Sequence, residues 1–261
     1  MATDLSTARE PTTDLARIAV VHAVVVAVPV LVLGVILLPL WLAPIVAIVV
    51  AVAVTALRCR GIDERIAGAL GARAIDAGDA PRLDGVVEST SMAVGVSVPQ
   101  LHVIEDPARN AVVWGSGTGP GASIAVTTGL LDAAERIELE GVVAHLLADV
   151  RDGVVEAPTV ATALFGPLAG GPAAGLVAWL ARAGEDERRV VMTDLAAAQA
   201  TQYPPGLVNA LERVRAGSSE VERSPRPMQP LWFAAPSTPG DDDPFAAHPP
   251  LADRIDLLRE L

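Results

Sequence analysis

The sequence predicts an α+β fold, mostly helical, in which an N-terminal transmembrane helical hairpin precedes a domain with a small sheet. Three observations predict it. Residues 18–57 contain no Asp, Glu, Lys or Arg and are dominated by Val, Leu, Ile and Ala. Most later segments have the Leu, Val, Ala and Glu content of helices. Only Leu101-His102-Val103-Ile104 and residues 122–127 read as strands, separated by a glycine-rich stretch at 115–121.

The uncharged run is about twice the ~20 residues that one helix needs to cross a hydrocarbon core of roughly 30 Å. Residues 17–58 are therefore expected to form two transmembrane helices, with the break between Pro39 and Pro44, where Trp41 suits the membrane interface. A signal peptide has an apolar core of only about 7–15 residues followed by a small-residue cleavage site, so this run is too long for one. Arg9 and Arg17 precede the hairpin, Arg58, Arg60 and Arg65 follow it, and the turn between carries no charge. The positive-inside rule then puts both flanks in the cytoplasm. The expectation is an integral protein of the inner or cell membrane with a cytoplasmic soluble domain. His22 lies inside the first span, where polar groups often mark function, although a single one near a helix end also reaches the interface. Residues 1–16, polar and poor in apolar anchors, are expected to be a disordered tail.

The net charge is −12, and all 19 basic residues are arginine. No clustered basic face is visible, so the sequence predicts no nucleic-acid partner. A single cysteine, Cys59, excludes an intramolecular disulfide and a cysteine-based zinc site. It follows the hydrophobic run, where acylation is conceivable, and is read as a bystander.

Beyond the hairpin, residues 66–83 have helical propensity and 83–94 read as an amphipathic helix ending at Gly95. The glycines of 115–121 lie between two strands and lack the following Lys-Ser/Thr of a phosphate loop. Residues 130–150 form the best soluble helix of the sequence. The apolar stretch 157–183 is interrupted by Gly170-Gly171-Pro172, which predicts a bent helical hairpin rather than a straight span. Further helices are expected over 185–202, 205–216 and 250–261, with a flexible loop rich in Ser, Pro, Gly and Asp over 217–247.

The helix 130–150 is where chemistry is expected. In a zinc protease the pattern His-Glu-x-x-His places two histidines one helical turn apart to bind the metal, and the glutamate deprotonates the attacking water. This helix reads His145-Leu146-Leu147-Ala148-Asp149. The first histidine is present, Leu146 stands at the general-base position, and Asp149 stands at the second-ligand position.

Around this helix the sequence resembles the HtpX-type membrane zinc metalloproteases. Ile104-Glu105-Asp106-Pro107 followed by Asn110-Ala111 is similar to the segment that precedes the family's active-site helix. Ala125-Val126-Thr127-Thr128-Gly129-Leu130-Leu131 is similar to its strand-to-helix passage, and His248-Pro249-Pro250-Leu251-Ala252-Asp253-Arg254-Ile255 to its closing His-Pro-Pro motif. With the N-terminal hairpin, the resemblance covers most of 15–261 and implies a metalloprotease-like domain over 59–261.

The resemblance also implies a third zinc ligand, a glutamate after an arginine and four residues before an aspartate. Arg189 and Asp194 match that arrangement, and the ligand position reads Val190. Three ligands and one base are implied, and His145 alone is kept. The sequence is therefore read as a degenerate, non-catalytic homologue, with Leu146 a vestigial base position, His145, Asp149 and Val190 vestigial metal positions, and no cofactor expected. Leu146 and Val190 are expected to share one apolar interior with His145. A weak site from His145, Asp149 and Asp194 is the chemical alternative, and an active zinc-dependent membrane metalloendopeptidase the functional one. The expected partner is a polypeptide held uncut by strand addition, or a partner protein, an active protease that the chain regulates. Because the resemblance packs the helix of His145 against the helix of Val190, 157–183 is expected not to cross the membrane once. It either dips into the bilayer or lies against the domain. His102 reads as structural, and His248 as fixing the turn into the last helix.

Overall fold

The computed structural model describes residues 11–76, 78–116, 121–181, 188–238 and 243–261. Most of the expected tail 1–16, the middle of the glycine stretch 115–121 and the start of the helix expected at 185 lie outside the described residues. Helix α1, Pro11–Leu37, begins inside the expected tail, at a proline whose fixed φ suits a first helical position. Its segment Leu15–Leu37 has the length and composition of a membrane span. After a turn at 38–42, α2 (Ala43–Cys59) runs back along α1 and meets α3 (Ile62–Leu70) at a bend of 60°. With 17 residues, α2 is at the short end of spanning length.

The α1–α2 contact is made by small side chains. Ala43, Ala47, Ala51 and Thr55 recur every fourth residue and are the buried positions of α2. At Gly34 an added Cβ would lie 3.2 Å from the Ala43 Cβ. Small residues let helix backbones approach where apolar transfer supplies no drive between helices. His22 turns into this contact: its Nδ1 lies 2.9 Å from the Thr55 hydroxyl, and its ring meets Phe165 edge-on. It is buried rather than reaching for the interface.

Beyond the first three helices, the strands Ala72–Ala74 (β1), Gln100–Ile104 (β2), Ala111–Trp114 (β3) and Ser123–Thr127 (β4) form a mixed sheet of order β1-β2-β4-β3. The expected strands are β2 (Gln100–Ile104) and β4 (Ser123–Thr127), a central parallel pair. Antiparallel edges are added by β1 (Ala72–Ala74) and β3 (Ala111–Trp114). Neither edge was expected. β1 is three residues long and falls where 66–83 has helical propensity, but Gly71, with φ +69°, ends α3 and turns the chain into the sheet. β3 is buried at every residue, so it lacks the alternation that marks a half-exposed strand.

The helix expected at 130–150 is two helices, α5 (Thr128–Ala133) and α6 (Arg136–Arg151), following α4 (Pro81–Val94). Extended backbone at Ala134 and Glu135 separates them, and the Glu138 carboxylate accepts from the Glu135 backbone N–H at 2.7 Å, capping α6. The same carboxylate holds Arg213 through two bonds of 2.6 and 2.7 Å, tying α6 to α10 (Pro204–Arg215). Gly141 and Gly206 allow these helices to touch, since a Cβ at Gly141 would stand 2.9 Å from the Leu207 backbone.

The apolar stretch 157–183 forms α7 (Glu156–Phe165), a 3-10 turn at Gly166–Leu168 and α8 (Ala174–Ala181) within the described residues. α7 packs against α1, α2 and α3. α9 (Arg189–Thr201) lies on α6, and α11 (Leu251–Arg259) closes the chain against α9 and α10. Part of the expected flexible loop 217–247 is packed: Arg226–Leu231 is a 3-10 turn, and Met228, Leu231, Trp232 and Phe233 are buried. Asn110 anchors it, donating to the Ser219 and Ala234 carbonyls and accepting from the Ala234 N–H. The cluster Met-Gln-Pro-Leu-Trp-Phe supplies apolar anchors that the Ser, Pro and Gly around it lack.

Candidate functional site

His145, Leu146 and Asp149 project from α6, and Val190 and Asp194 from α9, the helix packed on it. All five are buried. Leu146 and Val190 are thus both inside the protein, and Val190 lies one helical turn before Asp194 on the same face.

The polar side chains form two sets. In the first, His145 Nδ1 lies 2.8 Å from Asp194 Oδ1, and Arg254 from α11 grips the same carboxylate with Nε at 2.7 Å and Nη2 at 2.8 Å. The third Arg254 nitrogen donates to the Phe233 carbonyl at 2.7 Å, and the Phe233 ring stands edge-on to His145. Burial raises the Asp194 pKa, but the Arg254 guanidinium and the bond from His145 outweigh it and hold the carboxyl well below the usual range. In the second set, Asp149 Oδ1 accepts from Arg189 at 2.7 Å and from the Thr193 hydroxyl at 3.0 Å. Arg189 also donates to the Pro230 carbonyl at 2.6 Å, drawing the packed loop over the pair.

This chemistry does not fit a catalytic zinc ion, which takes three protein ligands and a water. An imidazole oriented by a carboxylate is what a metal site uses, and His145 with Asp194 has that form. Leu146 and Val190 offer no donor atom. Asp149 is already neutralised by Arg189, and two guanidinium groups in the cluster repel a further cation. Among the described residues no group of three or more His, Cys, Asp or Glu is placed to hold a metal. Arg254, Arg189 and Thr193 are the residues that sequence reasoning left without a role. Arg254 stands inside the His-Pro-Pro segment 248–255 and Arg189 just before Val190, but nothing local tells which carboxylate each meets.

His248 donates its Nε2–H to the Trp232 carbonyl at 2.6 Å, joining the start of the last segment to the packed loop. Burial, then the charges of Arg254 and Arg189, push its pKa from the ordinary 6.5 down to about 3. The imidazole is uncharged in the fold, whereas the unfolded chain takes up a proton below 6.5. Stability is therefore expected to fall as the pH drops from about 6.5 toward 3, and His248→Gln should flatten that slope in thermal melts across the range. A melting temperature equally acid-sensitive in both proteins would refute the assignment. His102, buried against Trp114 with its ring 4.9 Å away, is likewise pushed down by burial.

A family model described as "Peptidase family M48" matches residues 77–261. The chain is similar to a "Protease HtpX homolog" of Dictyoglomus thermophilum, 32% identical over 209 residues that cover 69% of each chain. A "Protease HtpX homolog" of Listeria innocua is 28% identical over 226 residues, 70% of this chain and 74% of the relative. One of Tropheryma whipplei is 29% identical over 223 residues, 73% and 76% of the two chains. No solved structure gives a significant match. The match over 77–261, together with a relative 32% identical over 69% of each chain, means that the chain belongs to peptidase family M48 as an HtpX-like member.

Proposed function

We propose that this chain is a membrane-anchored, non-catalytic homologue of the HtpX-type zinc metalloproteases. One observation carries the reading: Asp149, at the position of the second ligand, is bound by Arg189 and Thr193, while Leu146 and Val190 stand where a base and a third ligand are needed. Without a proton acceptor beside it, a water molecule loses general-base assistance typically worth about 10²–10⁴ in rate. Both flanks of the α1–α2 hairpin, with Arg17 on one side and Arg58, Arg60 and Arg65 on the other, lie in the cytoplasm in this reading.

Such a domain retains binding. The outer edge of β3 is bridged by the chain's own Trp232, through Val112, whereas no described strand pairs with the outer edge of β1. A polypeptide adding as an extra strand would therefore pair with Ala72–Ala74. The test is one preparation of the full chain in detergent, supplied with zinc and unfolded casein. It should retain no stoichiometric metal after desalting and leave the casein uncut, while the backbone amides of 72–74 exchange more slowly in its presence. Chelator-sensitive cleavage would overturn the non-catalytic reading, and unchanged exchange the binding one. The alternative, an active zinc metalloendopeptidase with an atypical site, predicts bound zinc and cleavage.

A further inference from the structure

In the four described strands of the sheet, Arg73 is the one Asp, Glu, Lys or Arg. It stands in the middle of β1, where Ala72 is half-buried and Arg73 and Ala74 are exposed. The chain has 31 acidic and 19 basic residues, so a guanidinium has carboxylates to choose from. Arg189, Arg213, Arg226 and Arg254 each hold one. Arg73 makes no ion pair or hydrogen bond among the described residues, and neither does Arg223. Arg223 is exposed too, and its Cδ lies 3.4 Å from where a Cβ at Gly71 would stand, beside the start of β1.

The ladder to β2 fixes which backbone groups of β1 face outward. Arg73 lies opposite Val103, and Ile75 continues that register by donating to the Leu101 carbonyl. Hydrogen-bonded pairs alternate along an antiparallel ladder, so Arg73 and Ile75 direct their backbone groups to β2 and Ala72 and Ala74 turn theirs outward. An antiparallel strand added at this edge bonds to the two alanines. Arg73 then falls in a non-hydrogen-bonded pair, in which Cα atoms come to about 4.5 Å and side chains are closest.

The charge at that position decides what can add. A second copy pairing through the same two alanines would set its own Arg73 directly against this one, and like charges placed so are destabilising. Charges on edge strands block edge-to-edge pairing in this way. A carboxylate is attracted instead, so the residue that repels a copy admits an acidic strand. Acidic groups of the chain itself bound the site. Asp76 is exposed just after Ile75, while Asp79 and Asp84 accept from the backbone N–H groups of Asp76 and Gly78. At the other end Glu222, adjacent to Arg223, and Glu105, which follows the partner of Ala72, are exposed and offset Arg223. Arg73 is left as the principal cation of the edge.

We propose that Arg73 makes the β1 edge selective for an acidic extended polypeptide, which pairs with Ala72 and Ala74 and sets a carboxylate opposite Arg73. In an antiparallel strand the residue three positions earlier falls opposite Asp76, where a basic side chain is favoured, so the pattern read is Lys-x-x-Glu. An opposite-charge cross-strand pair changes binding by about 1.5–5-fold, and exchanging attraction for repulsion changes it on the order of 10-fold.

This selectivity rests on the reading that β1 takes an added strand, and the experiment separates the two. The full chain in detergent is titrated with three acetylated, amidated peptides, Lys-Val-Thr-Glu-Val-Thr, Lys-Val-Thr-Gln-Val-Thr and Lys-Val-Thr-Lys-Val-Thr. Hydrogen exchange is followed at the Ala72 and Ala74 amides. The glutamate peptide should slow exchange at the lowest concentration, and the lysine peptide should need on the order of 10 times more. Arg73→Glu, a change at an exposed side chain, should invert that order, and Arg73→Gln should bring the three midpoints together. Equal midpoints in the wild type, or an order unchanged by Arg73→Glu, would overturn the selectivity and leave strand addition standing. No protection from any peptide would remove strand addition at β1 and the selectivity with it. Protection that grows with protein concentration without peptide would put a second copy on the edge. Protection by phosphatidylglycerol nanodiscs beyond that by phosphatidylcholine ones would put lipid there, and either result would overturn the acidic polypeptide as occupant.

Discussion

Replacing Asp194 by alanine is expected to destabilise the protein by about 3–5 kcal/mol, because it leaves a buried guanidinium without its counter-charge. Arg254 is 0% exposed, and Asp194 receives two of its bonds and the bond from His145. For a chain of this size the loss corresponds to a melting temperature lower by on the order of 10 °C. It can be read by the aggregation temperature of the detergent-solubilised protein. The double change Asp194→Leu with Arg254→Met should cost less than Asp194→Ala alone, since an apolar pair removes both charges together. An Asp194→Ala protein that melts within about 2 °C of the wild type would show that the cluster does not hold α6, α9 and α11 together.

The second large effect is a gain of metal affinity. Leu146→Glu, Asp149→His and Val190→Glu made together should give a zinc-dependent rise in melting temperature. At a zinc concentration of 1,000 times Kd the linkage amounts to about 4 kcal/mol. None of the single changes should show it, because one added donor beside His145 does not complete three ligands. Without zinc the triple variant should be less stable than wild type, for it buries two new carboxyls and takes from Arg189 the carboxylate it now holds at 2.7 Å. Zinc and a chelator should therefore move the melt in opposite directions. A triple variant indifferent to zinc would break the correspondence of Val190 with the third-ligand position. A single variant that binds zinc would mean that the wild-type cluster offers more donors than His145.

Where segments carry their own pattern, the sequence was legible. β2 and β4, the hairpin break between Pro39 and Pro44, and the interruption of 157–183 by glycine and proline all appear where composition places them. β1 was not legible because three residues contain too little alternation to register, and β3 because a fully buried run reads the same in a strand as in a helix. The split between α5 and α6 was missed because Ala134 and Glu135 have helical propensity, and the reciprocal cap at Glu138 overrides it. At the site, the residue types at 145, 146, 149 and 190 were readable. The partners that hold them, Asp194 and Arg254 for His145 and Arg189 and Thr193 for Asp149, were not.

The sequence by itself determined the apolar N-terminal helix, the likeness to family M48, and which residue types stand at 145, 146, 149 and 190. These are properties of composition, spacing and residue identity along a local stretch of chain. Only the tertiary structure decided that Asp149 pairs with Arg189 across 40 residues and Asp194 with Arg254 across 60. It also placed Phe165 beside His22 and Trp179 beside Arg17. A buried charge must find a partner, but the pattern of a helix says only which face it occupies. Which opposite charge meets that face depends on how α6, α9 and α11 pack, and no local spacing encodes that.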